Sequence, residues 1–296
     1  MILLFGAGGQ LGRELTRAGG ARAVPLVALA RAEADIADER VVRAAISRHT
    51  PSLVVNAAAY AKVDASESEI EAARLGNEIG PAVLAAACAV AGVPLIHIST
   101  DYVFDGSKDG AYVEDDPIAP ISAYGRTKAT GEQAVREAAP RHVILRTSWL
   151  YGEFGHNFLK TMLALAATRD ELRVVSDQHG CPTSSADLAA AILSIAPYLA
   201  ANEAVWGTYH YAGSGVTSWH GFAGRIVAAQ APLTGRTPRV TAILAKDFPT
   251  AARRPANSVL DCGKFARVFG FRGRPWTEET DRITRALTGT KERHVA

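Results

Sequence analysis

The chain predicts a doubly wound α/β fold of the Rossmann kind: one parallel sheet covered by helices on both faces, followed by a smaller C-terminal α/β layer. Three observations carry this. Short strands, apolar along their whole length, alternate with helices through the first half. A glycine-rich turn, Gly6-Ala7-Gly8-Gly9-Gln10-Leu11-Gly12, joins the first strand to the first helix. After Trp149 the alternation becomes irregular, as expected where a second layer is added to a finished sheet.

The elements follow in order. Ile2–Phe5 reads as the first strand, and a helix runs from about Gly9 to Ala18. Val24–Leu29 is the second strand, Glu39–His49 a helix and Leu53–Ala57 the third strand. A long helix spans Glu69–Gly92, and Leu95–Ser99 is the next strand. The helix carrying Tyr124 and Lys128 extends to about Ala138, and Val143–Arg146 returns as a strand. Beyond Trp149, Val174-Val175 is a short strand, Ser184–Leu199 an Ala-rich helix and Gly207–Ala212 a strand. A helix starts near Ser218, Phe248–Ser258 is a loop containing Pro and Arg, and the tail Lys291–Ala296 is frayed. The cofactor-type half is expected at 1–148 plus roughly 183–213, and the substrate layer at 149–182 plus 214–296. No repeat or low-complexity linker separates them, so they should fold as one unit.

Composition excludes several classes. At 296 residues the chain can bury a large core, and 48% hydrophobic with 21% charged residues is ordinary for a globular protein. A net charge of +2, with no basic run interleaved with aromatics, argues against nucleic acid. The apolar start before the glycine turn is too short for a signal peptide, and no apolar run approaches about 18 residues, so no membrane span is expected. Cys88, Cys181 and Cys262 are odd in number and far apart, which fits a reducing cytoplasm and neither a disulfide framework nor zinc. Cys88 sits among alanines and should pack in a helix core. The histidines show no metal-ligand spacing, and no metal ligand is assigned. His97 reads as packed within its strand, and Glu67, Glu69 and Glu71 as a solvated helix face.

The chemistry is carried by Tyr124-Gly125-Arg126-Thr127-Lys128. Residues four apart share a helix face, so Lys128 would place positive charge beside the Tyr124 phenol and favour its ionised form. Tyr-x-x-x-Lys arises often by chance; its position after the fourth strand, with Ser99-Thr100 just upstream, is what gives it weight. Gly6, Gly9 and Gly12 follow a strand and open a helix, where close backbone approach and free amides suit a pyrophosphate. An ordinary strand–helix turn would share that pattern. The second strand ends in Leu29-Ala30-Arg31 with no acid at its tip; Arg31 suits a 2′-phosphate and leans the choice toward NADPH over NADH. Asp35 and Ile36 could approach the adenine. Asn56-Ala57-Ala58-Ala59-Tyr60 offers small residues against which a cofactor can lie, and Thr100, Asp101 and Tyr102 stand at a strand end where such sheets place their chemistry. There Thr100 could bond a carbonyl oxygen and Asp101 or Tyr102 sugar hydroxyls. Arg253-Arg254-Pro255 could clamp a diphosphate or be an exposed loop.

These strings resemble the extended short-chain dehydrogenase/reductase superfamily and, within it, the dTDP-4-dehydrorhamnose reductase family. Beyond the glycine turn they include Val55–Ala59 with Val63, Asp64 and Glu67, then Ser99–Gly106 and Tyr124-Gly-x-Thr-Lys128. Arg146–Tyr151, Asn157-Phe158, Asp177-Gln178-x-Gly180-x-Pro182-Thr183 and Ala252–Ser258 extend the likeness over nearly the full length. The resemblance implies reduction by NADPH or NADH of the 4-keto group of dTDP-6-deoxy-L-lyxo-4-hexulose to give dTDP-L-rhamnose, for cell-surface polysaccharide. In that scheme Tyr124 protonates the alkoxide, Lys128 holds the nicotinamide ribose and Thr100 binds the keto oxygen. Asp101, Tyr102 and Trp149 line the sugar pocket, and Asn157, Gln178, Thr183 and Arg254 reach toward the nucleotide diphosphate. Gly9, Gln10 and Leu11, with Ala58, Ala59, Tyr60 and Ala61, match cofactor-contacting positions. Two departures stand out. Ala30 occupies a place often acidic in the family. Some members bind magnesium between subunits through glutamates, an arrangement compatible with a homodimer; Glu14 matches one, but the segment after Thr183 reads Ser184-Ser185-Ala186-Asp187, and the metal is not carried over. Rival readings on this scaffold are another nucleotide-sugar 4-ketoreductase or epimerase, and a non-catalytic regulatory subunit.

Overall fold

The computed structural model describes residues 1–201 and 205–289, so the expectation for Lys291–Ala296 lies outside the described residues. The first half runs β1 (Ile2–Phe5), α1 (Gln10–Ala21), β2 (Leu26–Leu29), α2 (Glu39–His49), β3 (Leu53–Asn56), α3 (Ile70–Arg74), α4 (Gly80–Ala91), β4 (Leu95–Thr100), α5 (Ala123–Ala138) and β5 (His142–Thr147). Then come β6 (Leu150–Tyr151), α6 (Phe158–Ala166), β7 (Glu171–Val175), β8 (His179–Gly180), β9 (Thr183–Ser184), α7 (Ser185–Ala201) and β10 (Gly207–His210). The chain continues through β11 (Thr217–Ser218), α8 (Trp219–Thr234), β12 (Arg239–Ile243), α9 (Gly263–Phe269) and α10 (Trp276–Gly289).

The central sheet has the order β10-β5-β4-β3-β1-β2, every pair parallel. Strands β1, β3 and β5 are buried along their whole length, which is why they read as continuous apolar runs rather than alternating ones. One face is sealed by α1 and α7, where Leu11 and Leu15 join Leu188, Ile192 and Ile195 in one core cluster. The other is sealed by α2, α4 and α5 through Val42, Ile46, Leu84, Cys88 and Val135. Chain order reverses direction between β1 and β3, and a crevice opens at the carboxyl ends of the strands there.

The long helix predicted over 69–92 is one rod with a π turn at Leu75–Ile79. That widening aims Asn77 inward: its amide donates to the Tyr60 carbonyl at 3.0 Å and the Thr127 hydroxyl at 3.2 Å and accepts from the Tyr60 N–H at 2.9 Å. The loop after β3 is thereby fastened to α5. Glu67, expected on a solvated face, instead reaches the start of α5 and accepts the Ala123 N–H at 2.7 Å.

The second layer pairs β7 with β12 in parallel and packs α6, α8 and α10 around Tyr151, Leu159, Phe222, Ile226 and Ile283. Strand β7 begins at Glu171, three residues before the predicted strand, because its alternating burial is that of a half-covered strand. As predicted, α7 and β10 return to the first sheet. Helix α9 does too, although its stretch was read with the substrate layer: Phe265 and Phe269 pack on Tyr209 of β10.

Candidate active site

A cleft of about 700 Å³ lies over the carboxyl ends of β1, β3 and β4, facing the second layer. Its floor is the glycine turn. Gly6 has φ +92°, and a Cβ there would sit 2.5 Å from the Ala58 nitrogen; a Cβ on Gly12 would sit 2.1 Å from the Gly6 carbonyl oxygen. Only hydrogen fits at these two points, so the turn is tight and α1 begins right at the cleft. Gly9 stands at the helix N-cap without a side chain, no acid occupies the first turn, and Gly8, Gly9, Gln10 and Leu11 line the cleft. The unsatisfied amides and positive end of α1 thus face the opening, the arrangement that receives a pyrophosphate. Ala57, Ala58, Ala59 and Ala61 form the adjoining wall.

The reactive corner is built where β4 meets α5. Thr100 ends β4, accepts the Tyr102 N–H at 3.1 Å and donates to the Asp101 carboxylate at 2.9 Å. Ser122 caps α5 through the Gly125 N–H, and this sets Tyr124 in the first turn with Lys128 one turn deeper on the same face. The Lys128 ammonium donates to the Ile98 carbonyl at 2.6 Å. Thr100, Asp101, Tyr102, Tyr124 and Lys128 all line the cleft, and the rings of Tyr102 and Tyr124 meet edge-on at 6.0 Å.

Burial governs the protonation of this corner. It pushes the Tyr124 phenol up to about 12, with Thr100 hydrogen bonding opposing and the Asp101 charge assisting. It draws Lys128 down to about 8, with Glu132 opposing. The expectation that Lys128 would favour an ionised phenol therefore does not hold here. Lys128 is not among the groups that shift the phenol, its ammonium being engaged by Ile98, so burial sets the direction. Burial also pushes Asp101 up to about 7, against hydrogen bonding by Ser258 and Thr100. A carboxyl raised in the folded state favours folding at low pH, and this contribution is lost as pH climbs through about 7. Thermal melts should therefore show wild-type Tm falling relative to Asp101→Asn between about pH 4 and about pH 7. Parallel profiles would rule out a raised Asp101.

The opposite wall is aromatic. Trp149, Phe158 and Trp219 line it together, and Trp149 stacks on Trp219 with centroids 3.5 Å apart and planes within 6°. Arg254 enters from the loop predicted to hold it. Its guanidinium is forked onto Asp64 at 3.0 and 2.7 Å, and this bridge ties the second layer to the loop after β3.

Other predicted positions lie elsewhere. Asn157 caps α6 by accepting the Lys160 N–H, and its amide donates to Gln10 Oε1 and the Gly152 carbonyl, so it fastens Gln10 rather than facing the cleft. Thr183 is fully buried between the Cys181 carbonyl and the Gly213 N–H, and Gln178 is not among the lining residues. Ile36 is buried in the core, and Asp35 pairs with the exposed Arg31 at 3.1 Å while accepting the Ala37 N–H. Tyr60 turns its hydroxyl to Glu69. Glu33 folds back so that its carboxylate accepts the Ala30 N–H at 2.8 Å, which brings to the tip of β2 an acid that no strand-end reading shows. His97 is packed as expected, bonded to Asn56 at 3.0 Å and held well below its ordinary pKa by burial. Lining residues to which sequence reading gave no role include Thr147, His156, Phe158 and Trp219; the aromatic start of α8, Trp219 with Phe222, was the one available signal for the last.

Glu14, the position matching a family magnesium ligand, is paired with Arg17 at 2.6 Å, and Asp187 accepts from the Tyr211 hydroxyl and the Arg274 N–H. Among the described residues no three His, Cys, Asp or Glu side chains are grouped to hold a metal ion. Arg17 and Arg274 thus hold Glu14 and Asp187, with Glu14 Oε1 buried without a partner.

Comparison with known proteins adds three relatives. The family model described as RmlD substrate binding domain matches residues 1–288. A dTDP-4-dehydrorhamnose reductase of Sinorhizobium fredii is 45% identical over 288 residues, 97% of each chain. The crystal structure of a dTDP-4-dehydrorhamnose reductase from Clostridium acetobutylicum superposes with a TM-score of 0.90 at 39% identity, covering 97% of this chain and 99% of that one. One from Bacillus anthracis, in complex with NADP, has a TM-score of 0.88 at 35% identity, covering 95% and 97%.

Proposed function

Because the chain belongs to the RmlD substrate binding domain family, that of the dTDP-4-dehydrorhamnose reductases, we propose that it reduces the 4-keto group of dTDP-4-dehydro-L-rhamnose to dTDP-L-rhamnose. The observation that carries this is the meeting, in one cleft, of the Tyr124 phenol, the Thr100 hydroxyl and Lys128 with the open N-terminus of α1.

The division of labour follows the layers. The sheet half, 1–148 with 183–213, receives the cofactor: Gly9, Gln10 and Leu11 offer amides to the pyrophosphate, and Ala58, Ala59 and Ala61 a flat wall. The layer of 149–182 with 214–289, α9 excepted, supplies Trp149 for the sugar and Arg254 for the diphosphate, which would take the guanidinium from Asp64. A bound nicotinamide supplies hydride to the carbonyl carbon. The Thr100 hydroxyl, which donates to Asp101, would turn to the keto oxygen, and Tyr124 would give that oxygen its proton as charge develops there. A phenol that retains its proton at neutral pH suits this direction, since the new alkoxide is the stronger base. Lys128, lining the same cleft, would hold the ribose of the cofactor. Both reduced cofactors are accepted, NADPH in preference, on the strength of exposed Arg31; Glu33 at the same tip competes for the ribose. We place the reaction in a reducing cytoplasm, which suits three unpaired cysteines.

The test is the fall in reduced-cofactor absorbance with dTDP-4-keto-6-deoxy sugar, NADPH and NADH compared, with the products identified. Formation of dTDP-L-rhamnose with one oxidised cofactor released per turnover is expected. Tightly retained cofactor with an epimerised sugar, or copurification with a partner and no turnover, would overturn the reading.

A further inference from the structure

We propose that Trp219 is a positioning residue that holds Trp149 in the conformation by which it walls the cleft. Trp149 has φ +45°, a left-handed backbone that a bulky residue keeps only when its surroundings enforce it. Two enforcing contacts are present. Gly180 lies so close to the indole that a Cβ there would sit 2.6 to 2.9 Å from Cε2, Nε1 and Cζ2. The Trp219 ring covers the Trp149 ring at 3.5 Å, and Phe158 supports Trp219 at 4.7 Å.

The two contacts are linked. Gly180 belongs to β8 and Trp219 directly follows β11, and these strands pair antiparallel, with Thr217 opposite Gly180 and Ser218 opposite His179. Ser218 also caps α8 by accepting the Gly221 N–H at 3.1 Å, which anchors the ring-bearing turn. Gly180 and Trp219 are therefore two sides of one slot whose width the strand pair sets, and Trp149 is the occupant. Glycine at 180 leaves room for the indole, and Trp219 removes its freedom to swing. This deepens the proposed function and rests on it for the claim that the wall meets the sugar. The stack itself does not depend on which sugar binds.

The experiment separates the two. Stacked indoles give an exciton couplet in circular dichroism, and Trp149→Phe and Trp219→Phe should each abolish the same couplet. Gly180→Ala keeps both tryptophans yet should diminish it, because the added methyl displaces Trp149. In turnover assays Trp219→Leu should raise KM for the keto-sugar by about tenfold, the size an aromatic stack accounts for. Its kcat should change less than about threefold and cofactor affinity should stay unchanged. Trp219→Phe, which keeps an aromatic face, should recover most of the KM. An unchanged couplet in Gly180→Ala, a wild-type KM in Trp219→Leu, or equal loss of KM, kcat and cofactor affinity would each overturn the proposal. If the keto-sugar is no substrate at all, the functional reading falls, and the couplet in Gly180→Ala still decides the slot.

Discussion

Replacing Tyr124 with phenylalanine is expected to lower kcat by about 10²- to 10⁴-fold, the range over which a positioned proton donor acts, while leaving cofactor binding near wild type. The ring would stay in place, because the residue is set by the first turn of α5 and its edge contact with Tyr102 involves no hydroxyl. What disappears is the phenol hydroxyl that faces Thr100 at the mouth of α5. Single-turnover kinetics with bound NADPH measure the step directly, and fluorescence titration gives the cofactor affinity. A Tyr124→Phe enzyme with turnover within a few-fold of wild type would remove Tyr124 as the acid. Loss of cofactor binding in parallel would mean that its role is structural.

The largest effect on stability is expected at Glu132. One turn beyond Lys128 on α5, it is fully buried and accepts two bonds from Arg146, at 2.9 and 2.8 Å. Burial opposes its ionisation, yet the Arg146 guanidinium holds Glu132 below the ordinary carboxylate range. Arg146 is itself 1% exposed. Glu132→Ala leaves that guanidinium buried without its counter-charge, a change expected to cost about 3–5 kcal/mol. For a chain of this size that is a Tm roughly 10 °C lower. Removing both charges, with Glu132→Leu and Arg146→Met together, should restore much of the loss, because neither ion is then desolvated alone. Calorimetric melts of the two singles and the double decide it. A double variant no more stable than Glu132→Ala would show that Arg146's bonds to the Glu114 carbonyl and His210 are what matter.

Much of the architecture was legible because it rests on local signals. Ile2–Phe5 and Leu53–Asn56 are buried on both faces, and that alone makes them uniformly apolar. Gly6 and Gly12 occupy places where only hydrogen fits, so their spacing announces the turn. Tyr124 and Lys128 were legible as a pair because helical periodicity puts residues four apart on one face. Less legible were roles set by contacts across the chain. Asn157 and Thr183 belong to strings that mark the family, yet one caps α6 beside Gln10 and the other is spent inside a turn. Glu33 reaches the tip of β2 only because the intervening turn folds it back. Trp219 is 70 residues from Trp149, and no local pattern ties them.

By itself, then, the sequence determined the order of strands and helices, the glycine turn and the placing of Tyr124 and Lys128 on one helix face, since periodicity, sterics and burial act over a few neighbouring residues. Tertiary structure alone decided the burial of that pair, the aromatic slot and the Arg254–Asp64 bridge. Those depend on desolvation and on distances between segments far apart in the chain, and both come into being only when the two layers close on one another.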